Sequence, residues 1–254
     1  MPALHKATSS TWFALNSLYS EIFRFIVANI KDKDPQDDLG RTPLHNAAMF
    51  GNFDACELLI ENVDDKNPND IGWLTPLHLA AEDGYYKVCQ LILKNILPAK
   101  SVETSGKTKS WSKLDISRVK NPADNWGKTP LHMAAENGHI DVYSLICETA
   151  NNKNPPDEEK VTPLHLAAEK GLLLMCRAIL TYVPEDKNAF DENGKTPCDL
   201  AKGGFFSEST IRFSNLPISN KNIPKNYPEF EIWQYYVMGG NFKFQVQDSF
   251  LETW

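Results

Sequence analysis

Thr129-Pro130-Leu131-His132-Met133-Ala134-Ala135-Glu136-Asn137-Gly138 is the stretch that decides the fold, because it returns at a fixed interval. Thr42-Pro43-Leu44-His45 and Thr75-Pro76-Leu77-His78 lie 33 residues apart, Thr129 and Thr162 are again 33 apart, and Thr196-Pro197-Cys198-Asp199 follows Thr162 by 34. From Thr75 to Thr129 the gap is 54, one period plus 21, so one unit carries an insertion. Threonine caps a helix by offering its hydroxyl to a first-turn amide, and proline fits the next position, where its missing N–H costs nothing. Each Thr-Pro pair therefore predicts a helix start. The alanine pairs Ala47-Ala48, Ala80-Ala81, Ala134-Ala135 and Ala167-Ala168 leave room for a second helix to approach closely. Gly51, Gly84, Gly138 and Gly171 stand where a left-handed residue would end the first helix. Each unit reads as helix, turn, helix.

A period of 33 around this string resembles the ankyrin repeat, and the resemblance covers residues 9 to about 203. It implies an all-α solenoid of helix-turn-helix units joined by hairpin fingers. The expected organisation is a loose N-terminus (1–8), a capping repeat (9–41), full repeats at 42–74, 75–120, 121–154 and 155–188, a half-repeat (189–203) and a tail (204–254). The capping repeat lacks the Thr-Pro string. Shifted by 33, however, its Phe23 falls on Cys56, Phe25 and Ile26 on Leu58 and Leu59, and Pro35 on Pro68. The unit at 155–188 has no glycine two residues before Thr162, so its finger is expected to take a different shape.

The insertion, 97–117, carries Lys100, Lys107, Lys109 and Lys113 against Glu103 and Asp115, with Trp111 among them. It reads either as a solvated loop or as a basic, aromatic contact for a partner. Gly106-Lys107-Thr108 lacks the earlier glycine of a phosphate-binding loop, since Ser101 stands there. The tail has 12 aromatics in 51 residues, and Trp233 to Met238 with Phe242 to Val246 suggests a hairpin across Gly239-Gly240-Asn241. A lone hairpin is marginal in water, so it would need something to dock on.

The chain is 42% apolar and 23% charged, with a net charge of −7 and a pI near 5.4. That balance argues against general affinity for nucleic acid or anionic membrane. The apolar run Trp12 to Ile30 is broken by Asn16, Ser17, Glu21, Arg24 and Asn29, so it reads neither as a membrane span nor as a signal peptide. Three of the five cysteines, Cys56, Cys89 and Cys176, fall 14 residues after a motif threonine, which marks a packing position. An odd number of thiols on a helical repeat favours a reduced compartment, cytoplasmic or nuclear.

Four of the six histidines belong to the repeated string. Helices in successive units pack roughly 8–10 Å apart, too far for zinc bonds of about 2 Å. The family resemblance implies instead that each imidazole ties its helix start to a neighbouring loop. No nucleophile motif, metalloprotease motif or paired Cys-x-x-Cys occurs. The expectation is a monomeric protein without catalysis or cofactor that binds another protein.

By the same resemblance, partners contact the concave side formed by finger tips and the ends of first helices. That surface would contain Leu39, Arg41, Met49 and Phe50, then Ile71, Leu74, Glu82 and Asp83. It continues with Asn125, Trp126, Lys128, Glu136 and Asn137, and with Glu158, Glu159, Val161, Glu169 and Lys170. Met49, Phe50 and Trp126 read either as partner anchors or as side chains folded back onto neighbouring fingers. The carboxylates read either as a solvated face or as a preference for a basic segment. A two-ended adaptor, with the tail recruiting a second protein such as ligase machinery, is the alternative. A regulatory fragment of a larger enzyme or channel is the third reading.

Overall fold

The computed structural model describes residues 17–96 and 120–203. The N-terminus expected to be loose (1–8), the insertion with Trp111, and the tail with its suggested hairpin lie outside these residues. Contacts divide the chain into two units, Met1–Ile218 and Ser219–Trp254, and every described residue belongs to the first.

The described residues form ten α-helices and no strand. Helix α1 spans Ser17–Asn29, within the expected capping repeat. The full repeats follow as pairs: α2 Pro43–Met49 with α3 Phe53–Asn62, and α4 Pro76–Glu82 with α5 Tyr86–Asn95. Next come α6 Pro130–Asn137 with α7 Ile140–Cys147, and α8 Pro163–Glu169 with α9 Leu173–Tyr182. A 3-10 turn, Pro184–Asn188, precedes α10, Pro197–Gly203, which lies in the expected half-repeat.

Helices of 7 to 10 residues are too short to hold alone in water, so their stability has to come from neighbours. The first helices α2, α4, α6, α8 and α10 pack on one another in series, forming an inner layer. Helices α1, α3, α5 and α7 pack in series behind them as an outer layer. Between the layers, all eight paired alanines are buried, and Leu44, Leu77, Leu131 and Leu164 are fully enclosed. Each buried leucine is worth roughly 1.5–3 kcal/mol, so the stack is held by side chains that no single unit could bury.

Phe23 and Cys56 are both buried, as the shifted alignment of the cap predicts, whereas Phe25 is 70% exposed where its counterpart Leu58 is half-buried. The position 14 residues after the motif threonine is a packing site throughout. Cys56, Cys89 and Cys176 fill it, and in the fourth unit Tyr143 does, its hydroxyl donating to the Lys153 carbonyl. Burial pushes the Cys89 and Cys176 thiols up to about 12, so they stay protonated and inert.

The finger of the fifth unit corrects the sequence expectation. Its Asp157 N–H bonds the Val161 carbonyl at 2.9 Å and its Lys160 N–H bonds Asp157 at 3.1 Å. The second finger has the same pair at Asp37–Arg41 and Gly40–Asp37, both 2.9 Å. The two fingers have one shape because Lys160 itself takes the left-handed conformation, φ 59°, that Gly40 holds at 74°.

Candidate finger face

Five fingers are built alike. In each, one carboxylate oxygen of an aspartate accepts the amides two and four residues on: Asp37 from Leu39 and Arg41, both at 2.9 Å, and Asp124 from Trp126 and Lys128 at 2.9 and 2.8 Å. Asp70, Asp157 and Asp191 repeat this with bonds of 2.8 to 3.0 Å. Desolvation raises the Asp157 carboxyl, against the pull of its amide bonds. Neighbouring fingers are joined by backbone bonds, Ile71 N–H to Leu39 O at 3.0 Å, Asn125 to Gly72 at 3.1 Å, Glu158 to Trp126 at 3.0 Å and Glu192 to Glu159 at 2.9 Å.

Behind the fingers, each motif histidine does two jobs. The Thr42 backbone N–H donates to His45 Nδ1 at 3.0 Å, closing a capping box over the start of α2. An amide N–H can only donate, so Nδ1 is unprotonated, and Nε2–H donates to the Leu74 carbonyl at 3.0 Å. Leu74 O and Thr75 N belong to one peptide group, and Thr75 N–H donates in turn to His78 Nδ1 at 3.1 Å. The pattern continues from His78 to Lys128 O at 3.2 Å, from His132 to Val161 O at 3.1 Å, and from His165 to Lys195 O at 3.3 Å. Imidazoles and peptides thus alternate in one hydrogen-bonded chain that reaches Asp199, whose carboxylate accepts the Thr196 N–H at 3.2 Å. Burial, opposed by the carbonyl bonds, pulls His78 and His132 down to about 4 and lowers His45 and His165. With both ring nitrogens engaged, each imidazole is structural.

The expected contact residues fall on the fingers and on the ends of the inner helices. Leu39, Ile71, Asn125, Trp126, Glu158 and Glu159 are exposed at the tips, while Arg41, Leu74, Lys128 and Val161 are half-buried on the stems. Phe50, Glu82, Asp83, Asn137, Glu169 and Lys170 are exposed at the inner-helix ends, and Met49 and Glu136 are half-buried there. Stem and helix end touch within a unit: Arg41 Nη1 lies 4.0 Å from Met49 Sδ, and Lys128 Nζ lies 3.7 Å from Glu136. They also touch between units, Lys170 Nζ lying 3.5 Å from Glu136. Glu136 is therefore held between two lysines. Farther along, Glu82 is raised first by burial and then by the charges of Asp83 and Glu136, against Lys128. Trp111 lies outside the described residues.

The sequence reading missed Trp73. It stands two residues before Thr75, where the second, fourth and sixth fingers have glycine, and it is left-handed at φ 62°. The displaced Gly72, three residues before Thr75, was the available signal.

Two-helix units stacked in register, with fingers bonded edge to edge, define a helical-repeat protein. The family described as ankyrin repeats, three copies, matches residues 4–103 and 109–201, and the chain belongs to that family. Ankyrin repeats are generally modules for protein–protein interaction. A search of curated proteins gave no match. Among the described residues no helix is long and apolar enough to cross a membrane, and no group of three or more metal-ligating side chains is present.

Proposed function

We propose that the chain is a binding module that holds a partner protein on the face made by its fingers and inner-helix ends, without catalysis. The observation that carries this reading is the exposure of Leu39, Phe50, Ile71 and Trp126 on that one face, on elements already fixed by backbone bonds and buried leucines. A surface ordered before the partner arrives lowers the cost of association, and large aromatic groups on it serve as anchors. The partner's complementary segment is apolar, with basic residues facing Glu82 and Asp83.

A photo-reactive amino acid placed at position 126 of the full chain, and separately at position 57 on the exposed outer side of α3, tests this in native extract. The expected result is a protein adduct from position 126 and none of that identity from position 57. Equal capture at both positions, or capture from 57 alone, would contradict the assignment.

A further inference from the structure

Resting on this protein-binding reading, we propose that the finger tips form one linear docking strip for an extended partner segment that is apolar at one end and basic at the other. Four large apolar side chains stand on three consecutive fingers: Leu39 (53% exposed), Ile71 (66%), Trp73 (57%) and Trp126 (62%). These fingers are neighbours by direct bonds, Ile71 N–H to Leu39 O and Asn125 N–H to Gly72 O, with Asn125 Nδ2 also on Ile71 O at 3.2 Å. Glu158 follows immediately, its N–H on Trp126 O, and Glu192 follows Glu159 in the same way. Along this line the large apolar side chains stand on the second, third and fourth fingers, with Asp38 exposed beside Leu39, and the glutamates stand on the fifth and sixth, with Lys160 and Lys195 exposed beside them. Ion pairs among the described residues engage carboxylates elsewhere, at Asp70 and Glu136, and leave Glu158, Glu159 and Glu192 exposed.

Trp73 is the largest member of the apolar half. It takes the left-handed conformation that the finger bonds impose at this position, as Lys160 does two fingers on. The same position also faces the next finger. A Cβ on Gly40 would meet Ile71 N at 3.1 Å, and one on Gly127 would meet Glu158 N at 2.8 Å. Glycine fills this position in the second, fourth and sixth fingers and lysine in the fifth, whereas the third finger carries tryptophan and leaves more than half of it in water.

Length follows from geometry. Successive units stack roughly 8–10 Å apart and an extended chain advances about 3.3 Å per residue, so about three residues pass each finger. From the finger of Leu39 to that of Glu192, the strip takes a segment of roughly twelve residues.

The probe is a fluorescein-labelled peptide of about that length, with alternate leucines in one half and alternate arginines in the other. Its counterpart has glutamate in place of arginine. Fluorescence anisotropy with the full chain is expected to show binding of the first at least tenfold tighter than the second. Trp73→Gly should weaken it at least tenfold while leaving the urea midpoint unchanged or raised, and Ile71→Ser should weaken it in the same direction. The triple substitution Glu158→Gln, Glu159→Gln and Glu192→Gln should lower affinity and flatten its salt dependence. Equal affinity for both peptides, or unchanged binding by folded Trp73→Gly and Ile71→Ser, would overturn the strip. A cross-linked cellular partner that is lost on Met49→Ala/Phe50→Ala yet retained by Trp73→Gly would also remove the strip, while leaving protein binding on this face in place.

Discussion

At the scale of single residues, a finger glycine and a motif histidine hold the stack for different reasons. Gly127 is left-handed, and an added Cβ would press on the backbone of the next finger, so Gly127→Ala should cost about 1–2 kcal/mol or more in urea unfolding. An unchanged midpoint would show that the fingers yield where they touch. His132 is different, because its loss strips two partners at once. His132→Ala leaves the buried Thr129 N–H and Val161 carbonyl without their bonds, and should cost about 2–4 kcal/mol while the metal content of the protein stays the same. Zinc held by the wild type and lost by the variant would contradict a purely structural imidazole.

Elements are tied to one another by the histidine chain, and this has a pH signature. Protonation would put an N–H on Nδ1 facing the threonine N–H, and burial already holds His78 and His132 near 4 against an ordinary 6.5. Between those values the unfolded chain binds more protons than the folded one, so stability rises with pH across the window and is lost as pH falls from about 6.5 toward about 4. At pH 5.5 each of these two imidazoles should cost about 1 kcal/mol relative to pH 7. Glu82 and Asp157, raised by burial, act in the opposite sense over the lower carboxylate range. Urea midpoints at the two pH values check this, and a midpoint that does not fall on acidification would refute it.

The helix starts were legible because Thr-Pro-Leu-His is a local signal, each residue acting within one turn. The bond from each imidazole to the next finger crosses 29 to 50 residues, and its existence came only from family resemblance. At the sixth start Asp199 stands where the other units have histidine, and its carboxylate accepts the Thr196 N–H as the imidazoles do theirs. The shape of the fifth finger was not legible from its missing glycine for a physical reason: aspartate bonds and the neighbouring finger hold Lys160 in the left-handed conformation.

For the molecule as a whole, stability is a property of neighbours. Each unit buries its leucine and alanines against the next, so damage at one junction should spread. Leu131→Ala, at the centre of the inner layer, should cost about 2–5 kcal/mol, and hydrogen exchange should quicken in α4 and α8 as well as in α6. Exchange that quickens in α6 alone would mean that the units are held independently. The proposed recognition would likewise be a property of the whole face, since Leu39, Phe50, Ile71 and Trp126 come from different units and are brought together by the regular stack.

The most direct test is the affinity of the full chain for the partner cross-linked at position 126, compared by calorimetry with the combined Met49→Ala, Phe50→Ala and Trp126→Ala variant. A face that anchors its partner predicts weakening by more than about 1 kcal/mol with the thermal midpoint preserved; an affinity equal to that of the unaltered chain would contradict it.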